Sequence, residues 1–190
     1  DILGTMDADL SHDPAHLEAM LARLEGHDVV VGSRYVHDGG TVNWGVNRVL
    51  LSWTANAFAA SLLGMPVADV TSGFRLYRAD ALRRLQLGQL RSTGYSYLVE
   101  LLFLLLASGA RVAESPVLFV DRRAGRSKLR RREIPRGAVA LARLRLASGR
   151  VPSPAGRAGR GVRGPALVSL VLAAALVGLQ AAAVLPLVAD

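Results

Sequence analysis

The chain contains no cysteine in 190 residues. Disulfide staples and thiolate metal sites are therefore excluded. Lysine is nearly absent as well: Lys128 stands alone among 23 basic side chains. In a chain that uses arginine everywhere else, a lone lysine marks a place suited to a compact ammonium charge. Aromatic residues make up only 5% of the chain, and residues 121–163 hold no Phe, Tyr or Trp. Single-stranded nucleic acids bind on aromatic stacking platforms as well as on charge, so no nucleic-acid partner is expected for that segment. The start shows no secretory signal pattern. It opens on Asp1 inside what reads as a strand, so an N-terminal part is expected to precede it. No internal repeat is present.

What is present is unevenly distributed. Residues 121–163 carry fourteen basic and two acidic side chains, and the rest of the chain is mildly acidic, within a net charge of +8. A basic block on an acidic body suits an anionic partner such as a membrane surface or a phosphorylated substrate. Residues 148–165 form an Arg/Gly/Pro-rich linker. Residues 166–189 then run without a charge. As a helix this stretch is about 36 Å long, a candidate transmembrane segment. Arg157, Arg160 and Arg163 ahead of it favour a cytoplasmic flank. An Ala-rich low-complexity tail is the alternative reading.

The organising stretch is Ile2-Leu3-Gly4-Thr5-Met6-Asp7-Ala8-Asp9-Leu10-Ser11-His12-Asp13-Pro14. An apolar run leading into two closely spaced carboxylates reads as a buried strand whose carboxyl end carries a ligand site. Two adjacent carboxylates tolerate each other most readily around a divalent cation, and Mg²⁺ or Mn²⁺ prefers oxygen ligands shared with substrate phosphates. The competing reading is an acidic helix start, with Asp13-Pro14 as N-cap and N1.

A helix is expected from Pro14 to Leu24, closed by Gly26. Asp28 to Tyr35 reads as a second buried strand. Strand, helix and strand together make a βαβ unit. Its Gly32-Ser33-Arg34 end emerges beside the carboxylates, where Arg34 suits an anion clamp or a solvated surface. Asn43 is expected to cap a helix to Leu63 that carries Trp44, Arg48 and Trp53, either a core helix or one lying at a membrane interface. Asp69 and Arg75 suit an ion pair between loop and sheet, or a place around an acceptor. Ala79 to Leu85 reads as a brief helix. A helix from Ser96 to Ala107 carries Glu100, which must be paired or face a cavity. Arg111 to Val120 is a strand broken by Pro116. Arg122 and Lys128 flank a glycine-containing loop able to wrap an anion, and Arg136 to Ala147 is a basic amphipathic helix of the kind that lies on anionic lipid.

The segments MDADLSHDP, VVVGSRYV, NWGVNRVLLSWTANAFA, DVTSGFRLYR, GYSYLVELLF and FVDRRAGRSKL, in this order, resemble the polyprenol-phosphate (dolichol-phosphate) mannosyltransferases of glycosyltransferase family 2. The resemblance covers residues 1–147. It implies an α/β GT-A, Rossmann-like fold, here without its N-terminal strands, followed by the linker and the hydrophobic helix. It implies inverting transfer of mannose from GDP-mannose to a polyprenyl phosphate at the cytoplasmic membrane face. By the same resemblance, Asp7, Ala8 and Asp9 lie against the nucleotide sugar. Asp9 is the main ligand of Mg²⁺ or Mn²⁺, with Asp7 beside it, and Ser11 stands where some relatives have a metal-touching Gln. Arg34 matches the arginine on the diphosphate side. Arg122 and Lys128 match the basic pair of a mobile loop, and Arg48 is placed for the lipid phosphate. The sugar pocket is not legible, so a family 2 enzyme using another donor such as UDP-glucose stays open, as does a non-catalytic membrane-associated fragment.

Overall fold

A computed structural model describes residues 1–90, 92, 95–121 and 133–148. The strands are β1 (Ile2–Thr5), β2 (Val29–Ser33), β3 (Gly40–Val42), β4 (Arg75–Arg78), β5 (Val112–Pro116) and β6 (Leu118–Val120). The α-helices are α1 (His16–Leu24), α2 (Val46–Leu63), α3 (Ala79–Arg83), α4 (Tyr95–Ala107) and α5 (Glu133–Ser148). The loop with Arg122 and Lys128, the linker and the candidate membrane segment 166–189 lie outside the described residues. Among the described residues no helix is long and apolar enough to cross a membrane.

A four-stranded sheet runs in the order β1-β4-β2-β5. β4 is antiparallel to both β1 and β2, and β2 is parallel to β5. The strands of the expected βαβ unit are therefore parallel to each other, with β4 inserted between them. β2 explains the three-layer packing. Every residue of it is buried, and its side chains alternate between faces. Val30 joins Met20 and Leu24 of α1 together with Phe74, Leu76 and Val117. Val29 and Val31 join Ala59 and Leu63 of α2 and Leu102, Phe103 and Leu105 of α4. Gly32 continues the strand because a Cβ there would lie 2.9 Å from Val117 Cγ1 and 3.2 Å from the Phe74 carbonyl.

Several expectations need correction. β1 is not buried: all four residues are exposed, because it is the sheet edge and pairs only with β4 among the described residues. Asn43 does not cap α2. It takes a left-handed backbone with φ 62°, and Gly45 occupies the cap position without a side-chain hydrogen bond. α2 is neither wholly core nor wholly surface. Asn56, Ala59 and Leu63 are buried, while Val46, Leu50 and Trp53, on one stripe of its N-terminal half, are exposed. Gly64 at φ 72° ends this helix as expected. The strand expected over 111–120 divides at Val117 into β5, paired with β2, and β6, paired in parallel with β3 in a separate two-stranded sheet.

Asp28 ties the C-terminal end of α1 to the start of β5. Its carboxylate accepts the Arg111 backbone N–H at 2.7 Å and faces the Arg84 and Arg111 guanidiniums at 3.6 Å. Partial burial raises its pKa, but the Arg111 hydrogen bond and the two arginine charges outweigh that and hold it below the ordinary 3.8. The stabilisation is therefore present above the unfolded-state value and is lost as pH falls through the lower native one. Asp28→Asn is expected to cost about 1 kcal/mol at pH 7. Denaturation curves should show the gap closing below about pH 3.8.

Candidate active site

The carboxylates sit on a turn that the fold holds from both sides. At the end of β1, Thr5 Oγ1 donates to the Gly73 carbonyl at 2.8 Å. Asp7, Ala8 and Asp9 follow. Leu10 then takes a left-handed backbone at φ 64°, an uncommon and strained state for a residue of this type. The reversal brings the Ser11 N–H to Asp9 Oδ1 at 3.1 Å and lets the Ser11 carbonyl accept from Val120 N–H at 3.0 Å. The turn is thus bonded directly to β6. Gly73 leaves room for Asp7, since a Cβ there would lie 3.3 Å from Asp7 Oδ1. Ala8 is exposed. Ser11 is fully buried, and its hydroxyl has no hydrogen-bond partner among the described residues.

From this turn an aromatic ledge runs to the arginines. His12 packs against Phe74 at 5.0 Å and against Phe119 of β6 at 4.9 Å between ring centroids. Phe119 stands edge-on to Trp44 at 5.2 Å. Two of the four sequence-predicted cations, Arg34 and Arg48, meet this ledge. The Arg34 guanidinium lies 5.6 Å from the Trp44 and Phe119 centroids, and that of Arg48 lies 3.9 Å from Trp44. At the other end His12 Nε2 is 3.5 Å from Asp7 Oδ2. Asp7 on the loop after β1 and the two arginines are therefore linked by one run of ring contacts, in which His12 and Phe119 are buried.

Each arginine is held by an aspartate. Arg34 forms a fork with Asp69, Nε to Oδ2 at 2.6 Å and Nη2 to Oδ1 at 2.7 Å, and adds Thr71 Oγ1 at 3.0 Å. Asp69 is wholly buried. Glu114 of β5 fixes the Asp69 loop by accepting the Ala68 and Asp69 N–H groups at 2.9 and 3.0 Å. Asn56 of α2 bonds both the backbone and the hydroxyl of Thr71. Arg48 pairs with Asp121 at 2.7 Å, and each side chain is about one-third exposed.

The pairing expected between Asp69 and Arg75 is not formed. Arg75 is fully buried and gives its guanidinium to the carbonyls of Ser72, Leu98 and Val70, each at 2.7 Å. It braces the loop before β4 against α4. Glu100 accepts the Ser92 N–H at 2.8 Å, which supports its structural reading. Sequence reasoning passed over His12, Trp44 as the meeting point of two arginines, and Asp121 as the partner of Arg48. A polar residue three positions beyond Asp9 was the available signal for His12. The other two depend on β6 returning beside α2, which no local pattern announces.

Residues 1–86 match the model of the family described as Glycosyl transferase family 2. Residues 1–86 are family 2 glycosyltransferase sequence. The chain's layered α/β sheet is consistent with the GT-A, Rossmann-like fold. The chain is 40% identical over 129 residues, 68% of its own length, to a protein of Micrococcus luteus named undecaprenyl-phosphate mannosyltransferase, of which it covers 53%. It is 39% identical over 129 residues, 67% of its length, to polyprenol monophosphomannose synthase of Mycolicibacterium smegmatis, of which it covers 49%. The chain thus spans about half the length of the curated relatives it matches.

Proposed function

We propose that the whole protein to which this chain belongs transfers mannose from GDP-mannose to a polyprenyl phosphate. The carrying observation is the shared ledge: Arg34 and Arg48 both lie on Trp44, and the same run of rings ends at His12 facing Asp7. A reaction between a nucleotide diphosphate sugar and a phosphate lipid needs cations and carboxylates brought together. The names of the two relatives support mannose as the sugar and a polyprenyl phosphate as acceptor.

The residues fit a divalent cation. Asp7 and Asp9 supply hard oxygen donors, the Asp7 side chain is 57% exposed, and the buried Ser11 hydroxyl has no hydrogen-bond partner among the described residues. Among the described residues no third carboxylate or imidazole completes a protein cage. That suits Mg²⁺ or Mn²⁺, which commonly binds through one or two carboxylates plus substrate phosphates. When bound, such an ion supplies Lewis-acid stabilisation of the departing GDP diphosphate.

The chain's own residues do the rest. The acceptor phosphate is already ionised at neutral pH, so no strong base is required. Arg34, forked on Asp69 and only 9% exposed, would act on the diphosphate through its fixed position and charge rather than as a free clamp. Arg48 exchanges part of its bond with Asp121 for the acceptor phosphate, positioning that oxygen for in-line attack at the anomeric carbon. Arg122 and Lys128 contribute further positive charge. The exposed Val46, Leu50 and Trp53 stripe lies on the same helix as Arg48. It suits a site at a lipid surface, where tryptophan is favoured, with the catalytic domain on the cytoplasmic side.

The test is a donor comparison with the full-length protein in membranes supplied with polyprenyl phosphate. Labelled GDP-mannose is expected to yield a chloroform-extractable mannolipid, and UDP-glucose to yield less than about one-hundredth as much, in line with discrimination by a polar pocket. A glucolipid formed in place of the mannolipid, or no lipid product from either donor, would overturn the proposal.

A further inference from the structure

We propose that His12 is a positioning residue for Asp7, holding that carboxylate in place for the divalent cation. The inference rests on the reading of Asp7 and Asp9 as cation ligands and deepens it. The His12 side chain is 2% exposed, packed between Phe74 and Phe119. Neither ring nitrogen makes a hydrogen bond among the described residues. A buried polar ring without hydrogen bonds is costly, and an apolar ring of similar size would fill the same space without that cost. The nitrogen Nε2 nevertheless faces Asp7 Oδ2 at 3.5 Å. That is slightly too long for a good hydrogen bond. Contacts of this kind tighten when the ligand arrives. Residues behind a metal ligand in this way fix its orientation and typically change metal affinity 10–100-fold when removed.

The position is anchored on three sides. The backbone of His12 bridges to Phe119, and the Ser11 carbonyl accepts from Val120 N–H. Gly73 packs close to the same carboxylate, since a Cβ there would lie 3.3 Å from Asp7 Oδ1. The imidazole thus acts as the fixed wall against which Asp7 is held, and β6 carries that wall.

The experiment titrates Mn²⁺ alone into the full-length protein and follows free Mn²⁺ by electron paramagnetic resonance, beside thermal melts. His12→Phe keeps the ring packing and removes the N–H. It is expected to melt at or above the wild-type temperature and to bind Mn²⁺ about 10-fold more weakly. His12→Gln restores an N–H near the Nε2 position and should recover most of that affinity. In an Asp7→Ala background, His12→Phe should cause no further loss. Should the Phe variant fail to fold, His12→Met carries the same comparison. Equal Mn²⁺ affinity in wild type and a folded Phe or Met variant overturns this inference and leaves the cation reading standing. A wild type that binds no Mn²⁺ even with GDP present overturns both.

Discussion

Asp9→Ala is expected to lower transfer by at least about 10²–10³-fold, the scale seen when one group stabilising a developing charge is removed. The fold should survive. Asp9 lies on the turn after β1, where its carboxylate accepts the Ser11 N–H, and the turn keeps its bond from Val120 N–H to the Ser11 carbonyl. Loss of one local hydrogen bond at a partly exposed site costs about 1 kcal/mol. Product formation from GDP-mannose and polyprenyl phosphate, measured beside a thermal melt, separates the two effects. A folded Asp9→Ala protein that transfers mannose normally would refute the assignment of Asp9.

Asp69→Ala has the largest expected effect on stability. It removes the partner of Arg34 from a site where the arginine side chain is 9% exposed and the aspartate is wholly buried. Leaving a buried guanidinium without its counter-charge costs about 3–5 kcal/mol. Thr71, Asn56 and Glu114 converge on the same loop, so the loss should spread to α2 and β5. Urea titration should show a lower midpoint with an unchanged slope. Adding Arg34→Met should recover part of the loss, because the orphaned charge is then gone. A single Asp69→Ala loss below about 1 kcal/mol would mean that water already screens the pair.

These expectations show where sequence was informative. The Val29–Val31 run marked β2 as a doubly covered strand, because complete burial leaves a local signature in composition. Gly64 marked the end of α2 for an equally local reason, its left-handed backbone. The D-x-D stretch stood out in sequence, but by itself it left a cation site and an acidic helix start both open, and the ordered set of motifs was what favoured the first. The antiparallel insertion of β4 between β1 and β2 was not legible. Pairing partners distant in sequence are chosen by tertiary packing rather than by local pattern. The same limit hid the partners of the arginines. Arg34 and Asp69 are 35 positions apart, and Arg48 and Asp121 are 73 apart. Sequence therefore identified both arginines and Asp69, but matched Asp69 with the wrong arginine and passed over Asp121. The buried Arg75 was misassigned because carbonyl oxygens, which every residue supplies, satisfied it in place of a side chain.

The central claim is that the carboxylates after β1 and a diphosphate share one cation. The most direct test binds Mn²⁺ and GDP to the full-length protein and reads phosphorus couplings by electron–nuclear double resonance. Couplings to GDP phosphorus from protein-bound Mn²⁺, lost together with Mn²⁺ binding in Asp9→Ala, are the predicted result. Protein-bound Mn²⁺ without phosphorus coupling, or coupling that Asp9→Ala leaves unchanged, would contradict it.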